Sequence, residues 1–170
     1  MHDYSGAIIL SRSVLSSLLN TEDYIEAMEG AFASYAKTKK EGSVGLLHLE
    51  TGRMEYHIKA GSLQLDETFF GLKVNSSLFS EVMEKKIPKI KGIIVLFEGT
   101  YGYPIAILDS IEITIQRTGA TTAVAAKYLA RSDSRVLTVC GCGNQGKIQL
   151  RALLKVLPIE KVYAFDMNYE

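Results

Sequence analysis

Residues 135–166, RVLTVCGCGNQGKIQLRALLKVLPIEKVYAFD, constrain the fold more tightly than any other part of the chain. Val136, Leu137, Val139 and Cys140 form a short apolar run of the kind buried on both faces of a parallel sheet. Gly141, Gly143 and Gly146 follow with G-x-G-x-x-G spacing. Ile148, Leu150, Leu153 and Leu154 then mark a helical stripe that Pro158 closes. A second apolar strand, residues 162–165, ends on Asp166. Strand, glycine turn, helix and strand in this order form the unit that cradles the diphosphate of a dinucleotide.

Each glycine has its own physical reason. Gly141 takes the backbone angles of a tight turn, Gly143 carries no side chain to hold a phosphate away, and Gly146 lets the helix lie close to the strand. The unpaired N–H groups and positive end of the helix then face the anion. Asp166, twenty residues beyond Gly146, stands where a carboxylate accepts hydrogen bonds from a ribose 2′-hydroxyl. A 2′-phosphate would be repelled there, so NAD is expected in preference to NADP. The same letters nearly fit a P-loop, but Ile148 stands where the magnesium-binding hydroxyl belongs. Cys140 and Cys142 are spaced C-x-C, without redox spacing or zinc-ligand company, and read as small buried side chains. No metal site is expected.

Composition narrows the class. Of 170 residues, 47% are hydrophobic and 22% charged, with zero formal net charge, which suits a globular protein and excludes a general nucleic-acid or membrane-surface binder. Two closely spaced cysteines are too few to staple a secreted fold, so a cytoplasmic protein is expected. No apolar run reaches membrane-spanning length and MHDYSGAII does not have the form of a signal peptide. A doubly wound domain needs at least β-α-β-α-β, yet only two strands and one helix follow Arg135, so the chain reads as the front part of a longer protein.

Earlier segments supply the rest of an α/β chain. Ser11 is expected to cap a short helix, and Thr21, with Glu22 and Asp23, to start a longer one. Ile25, Met28, Phe32, Tyr35 and Ala36 give the longer helix one apolar stripe, expected to pack on a sheet. From Gly42 the pattern turns to strands. Met54, Tyr56, Ile58 and Ala60 share one face and Glu55, His57 and Lys59 the other, which on this pattern alone is an ordinary solvated face. Lys73 lies in the mostly apolar run 69–75 and either snorkels or is kept for its charge. Lys85, Lys86, Lys89 and Lys91 cluster around Pro88 without an aromatic platform, so nucleic acid is not expected there. Residues 92–97 and 104–108 indicate an antiparallel hairpin with a longish loop. In the segment 109–131 the alanine-rich half favours a helix that packs closely on a neighbour. Arg117 is expected near its start, where guanidinium and helix N-terminus together would grip a carboxylate. The polar joint 131–134 is expected to separate a domain of residues 1–132 from a dinucleotide domain begun at 133–170.

Taken together, GLKVNS at 71–76, YGYPIAILDS at 101–110, RTGATTAVAAKYLAR at 117–131 and GCGNQG at 141–146 resemble the ornithine cyclodeaminase and mu-crystallin family. The resemblance runs along nearly the whole chain. It implies an N-terminal α+β substrate and dimerisation domain followed by the first β-α-β unit of a Rossmann domain, truncated here. Lys73 falls at the family's active-site lysine, and Arg117 at the arginine beside it that holds the substrate α-carboxylate. Glu55, His57 and Lys59 lie in a substrate-facing segment, where Ile58-Lys59-Ala60 replaces the usual Met-Pro, and no arginine stands near His48, where the family carries one. Gly141, Gly143, Asn144, Gln145, Gly146 and Asp166 fall at the nucleotide site. The implied activity is NAD-dependent conversion of ornithine or a similar small amino acid to proline and ammonia through an imine, by a full-length homodimer. Reduction of a cyclic imino acid, alanine dehydrogenation and non-catalytic ligand binding remain open beside it. The 170-residue chain alone is expected to be inactive, because half the cleft would be missing.

Overall fold

The computed structural model describes residues 6–37, 44–78 and 90–168. Its elements are β1 (Ile8–Leu10), α1 (Arg12–Leu18), α2 (Thr21–Lys37), β2 (Val44–Thr51), β3 (Met54–Gln64), β4 (Thr68–Leu78), β5 (Ile90–Glu98), β6 (Pro104–Asp109), α3 (Ser110–Leu129), β7 (Val136–Cys140), α4 (Asn144–Val156) and β8 (Lys161–Phe165). They form two compact units, Met1–Ser17 with Ala31–Glu112 and Leu18–Gly30 with Ile113–Glu170. Gly42 and three of the clustered lysines, Lys85, Lys86 and Lys89, lie outside the described residues.

The first unit is built on a six-stranded sheet ordered β1-β6-β5-β4-β3-β2. Only β1 runs parallel to its neighbour; the rest is an antiparallel meander. The turn between β2 and β3 passes through Gly52 at φ 60°, a left-handed angle that glycine takes without strain. The expected hairpin is present as β5 and β6. The buried Glu98 carboxylate fixes its loop by accepting hydrogen bonds from the N–H groups of Tyr101 and Gly102. Ser11 caps α1 as expected, its hydroxyl 3.4 Å from the Val14 nitrogen. One buried polar pair ties β4 to the start of α3: the fully buried Ser110 hydroxyl donates to Asn75 Oδ1 at 2.6 Å.

The second unit has a small-residue helical core. Tyr24 and Ile25 of α2 pack with Ala120, Ala123 and Val124 of α3 and Ala152 of α4. A Cβ on Gly119 would lie 2.5 Å from Ile148 Cγ2, which shows how closely α3 and α4 approach. The close packing expected of the alanine-rich segment is thus present. The stripe on α2 departs from expectation, because its first turns meet helices rather than a sheet and Phe32 and Tyr35 stay exposed. Asn20 and Asp23 start that helix reciprocally: the Asn20 N–H donates to Asp23 Oδ2 at 2.8 Å and the Asp23 N–H to Asn20 Oδ1 at 3.1 Å. Lys127 pairs with Glu29 at 2.8 Å and Lys155 with Glu22 at 2.5 Å, both at the surface, where solvent and salt screen such pairs and they add little to stability.

β7 and β8 pair in parallel from Val136↔Lys161 to Cys140↔Phe165, with α4 between them in sequence. The expectation that β7 is buried on both faces is not met. Leu137 and Val139 are half-buried while Val136, Thr138 and Cys140 are exposed, because this sheet has two strands and its alternate residues have no cover. No helix of the described residues is long and apolar enough to cross a membrane.

Candidate functional site

The three glycines of the turn are conformationally distinct in the ways their spacing requires. Gly141 has φ 97°, a left-handed angle at the end of β7. Gly143, the N-cap of α4, has φ −68°, and a Cβ built on it would meet nothing within 4 Å. That open space is where a phosphate would approach. A Cβ on Gly146 would lie 1.9 Å from the Gly141 carbonyl oxygen, so the first turn of α4 rests directly on the turn. No side chain caps α4, which leaves its first N–H groups directed at the same space. A cleft of about 440 Å³ runs from the turn between β7 and α4, lined by Leu137, Val139, Gly143, Gly146, Leu150 and Leu153.

Asp166 closes this arrangement from the end of β8. Its Oδ2 accepts the Cys142 N–H at 2.6 Å and its Oδ1 the Asn168 N–H at 3.0 Å, while the Gly141 N–H donates to the Phe165 carbonyl at 2.7 Å. The structure therefore brings Asp166 against the glycine turn. The Asn168 N–H, and then that of Cys142, hold its carboxyl below the ordinary aspartate range. Because the folded-state value is the lower one, this contribution to stability is present above the ordinary aspartate pKa and lost as pH falls through the lowered value. In an NMR titration the Cys142 and Asn168 amide resonances are expected to hold steady through neutral pH and to move together only below the ordinary aspartate range. Movement near neutrality would contradict the two hydrogen bonds.

In the first unit the sheet register assembles a polar face. Lys59 stands directly opposite Lys73, His57 opposite Asn75 and Glu55 opposite Ser77 on β3 and β4, and His48 of β2 opposite His57. Lys73 is half-buried and Lys59 exposed. Two lysines directly opposed across a strand pair repel, an arrangement that an anion relieves. Glu55 is drawn in most: Oε1 lies 2.6 Å from His48 Nε2 and 3.0 Å from His57 Nε2, and Oε2 accepts from the Ser77 hydroxyl at 3.1 Å. The face is thus an organised cluster. Its alternating pattern revealed Glu55, His57 and Lys59 but not His48, Asn75 or Ser77. A two-residue turn at Gly52 and Arg53 would have set His48 opposite His57 from sequence alone.

Arg117 requires a correction. Helix α3 begins at Ser110, where Asp109 Oδ1 accepts the Ile111 and Glu112 N–H groups at 2.9 and 3.2 Å, so Arg117 sits two turns inside rather than near the start. The free N–H groups of the helix end are out of its reach. The residue is half-buried there.

A parallel β-α-β unit with this turn, closed by an aspartate at the second strand's end, defines the Rossmann class of α/β folds. The chain belongs to the ornithine cyclodeaminase/mu-crystallin family, whose model matches residues 6–170. It is 34% identical over 162 residues to an alanine dehydrogenase of Archaeoglobus fulgidus, covering 95% of this chain and 48% of the relative. It is 32% identical over 123 residues to an ornithine cyclodeaminase of Agrobacterium fabrum, covering 69% of this chain and 34% of that one. The solved Δ1-pyrroline-2-carboxylate reductase of Thermococcus litoralis, in complex with NADH and L-proline, superposes with a TM-score of 0.84 at 32% identity, over 95% of this chain and 50% of that one. The chain thus spans about half the length, or less, of these relatives.

Proposed function

We propose that the full-length protein is an ornithine cyclodeaminase-like enzyme, converting L-ornithine or a similar small amino acid to L-proline and ammonia through an imine. The observation that carries the reading is the glycine turn, where Gly146 rests on Gly141, Gly143 faces open space and Asp166 holds the Cys142 N–H. These residues fit a dinucleotide, with the diphosphate at the uncapped end of α4 and the ribose at the remaining lone pairs of Asp166, which favours NAD over NADP. Bound NAD would accept the α-hydride and return it, so the conversion has no net redox change. In this reading Arg117 holds the α-carboxylate, and Lys73 moves a proton at the substrate amine or stabilises the developing anion. Lys59, His57 and Glu55 line the polar face that would receive the substrate's other end. Residues 1–132 would then belong to the substrate and dimerisation domain and 133–170 to the start of the Rossmann domain, in a cytoplasmic homodimer.

A second reading is supported by the similarity to the reductase whose structure holds NADH and L-proline: reduction of a cyclic imino acid by the same residues. The similarity to an alanine dehydrogenase supports oxidative deamination likewise. The deciding experiment monitors nicotinamide absorbance in the full-length protein as ornithine or alanine is added with NAD or NADP, and as pyrroline-2-carboxylate is added with NADH. Ammonia from ornithine without net NADH change is the expected result. Stoichiometric NADH oxidation with pyrroline-2-carboxylate selects the reductase, and cofactor binding without turnover selects a ligand-binding protein.

A further inference from the structure

His48 and His57 face each other across β2 and β3, and their rings stack with centroids 4.8 Å apart and 15° between planes. Both Nε2 atoms point at one oxygen of Glu55, at 2.6 and 3.0 Å. One ligating atom from each of the three residues lies within 4.8 Å of the others. Two imidazole nitrogens thus converge on one carboxylate oxygen. One cation placed among these atoms would take a lone pair from all three groups at once. The second carboxylate oxygen is already held by the Ser77 hydroxyl at 3.1 Å, the kind of outer hydrogen bond that orients a metal ligand.

We propose that His48, Glu55 and His57 form a binding site for a divalent zinc ion. Two imidazoles and a carboxylate are a zinc ligand set that leaves the fourth tetrahedral position open. Here that position is reached from solvent, since the two histidine side chains are 48% and 46% exposed while Glu55 is 16% exposed. Glu50, whose Oε1 lies 3.9 Å from His48 Nε2, stands near enough to complete the set through a water. The ion would clip β2 to β3 by the side chains of directly paired residues. The site lies on the same sheet face as Lys59 and Lys73 and uses neither, but it shares Glu55 and His57 with the face proposed to receive the substrate; metal binding is read without turnover, so it is tested separately from that reading.

The test is titration of the metal-stripped protein with Co²⁺, followed by visible d–d absorption, with Zn²⁺ as competitor. One Co²⁺ per chain with bands of tetrahedral intensity, displaced by one equivalent of Zn²⁺, is expected, and saturating Zn²⁺ should raise the melting temperature. His48→Ala and His57→Ala should each abolish the bands, and Ser77→Ala should weaken binding about tenfold by freeing the carboxylate. The folded state of each variant is followed independently by circular dichroism. The chain has one further histidine, His2, and two cysteines, Cys140 and Cys142. Bands that survive loss of His48 and His57, or that vanish in His2→Ala or in the Cys140→Ser, Cys142→Ser double variant, would overturn the proposal. Saturation only at millimolar Co²⁺ would do the same.

Discussion

Gly146→Ala is expected to loosen the β7–α4–β8 unit by about 3 kcal/mol, the upper part of the usual range for overpacking. The added Cβ would lie 1.9 Å from the Gly141 carbonyl oxygen and 3.1 Å from its carbon. Both are backbone atoms of a turn already fixed at φ 97° and by the Gly141 N–H bond to Phe165, so neither has room to yield. Helix α4 must lift off the strand instead, opening the contact with Val139 and disturbing Ile148 and Ala152, its buried residues. Native-state hydrogen exchange should show faster exchange across β7, α4 and β8 while β3, β4 and β5 keep their protection. Gly143→Ala separates folding from binding, because its Cβ meets nothing within 4 Å and its φ of −68° suits alanine. That variant should melt like the parent yet lose NAD affinity in the full-length protein, its methyl occupying the phosphate's space. Equal stability in both variants would refute the close approach of helix and turn.

How much of this was legible in the sequence depended on whether the cause was local. The β-α-β unit was readable because glycine spacing, apolar periodicity and Pro158 each act within a few residues of their own position. The β5–β6 hairpin and the alternation along β3 were readable for the same reason. The start of α3 was not: Ile111, Ile113 and Ile115 alternate with Glu112 and Thr114 as in a strand, and β-branched residues weaken the helical signal. Asp109 supplies a local cap that the strand-like alternation masks, and Ser110 a buried hydrogen bond to Asn75, 35 residues away in the chain. The partnership of His48 with Glu55 and His57 was within reach of the sequence, since it follows once the two-residue turn at Gly52 and Arg53 is recognised and β2 is laid on β3. The burial of β7 was overestimated because an apolar run reports what a strand tolerates, not what covers it.

Arg117 lies in the interior of α3 rather than at its free end. Without free N–H groups beside it, its guanidinium must hold the substrate carboxylate on its own in the proposed reading. Arg117→Ala in the full-length protein should therefore lower kcat/KM for the amino or imino acid about tenfold to 150-fold, since a charge-assisted hydrogen bond contributes about 1.5–3 kcal/mol. Arg117→Lys keeps the charge but loses the planar fork, so it should recover only part of that loss. Dissociation constants for NAD should not change in either variant, which distinguishes loss of the carboxylate grip from general damage to the fold. The Thr114 hydroxyl, one turn earlier on the same side of α3, is buried without a hydrogen-bond partner among the described residues. Thr114→Val, which keeps the shape and removes the unpartnered hydroxyl, should leave the melting temperature level or slightly higher. Full activity in Arg117→Ala would show that the carboxylate is held elsewhere and would end the assignment of this helix to substrate binding.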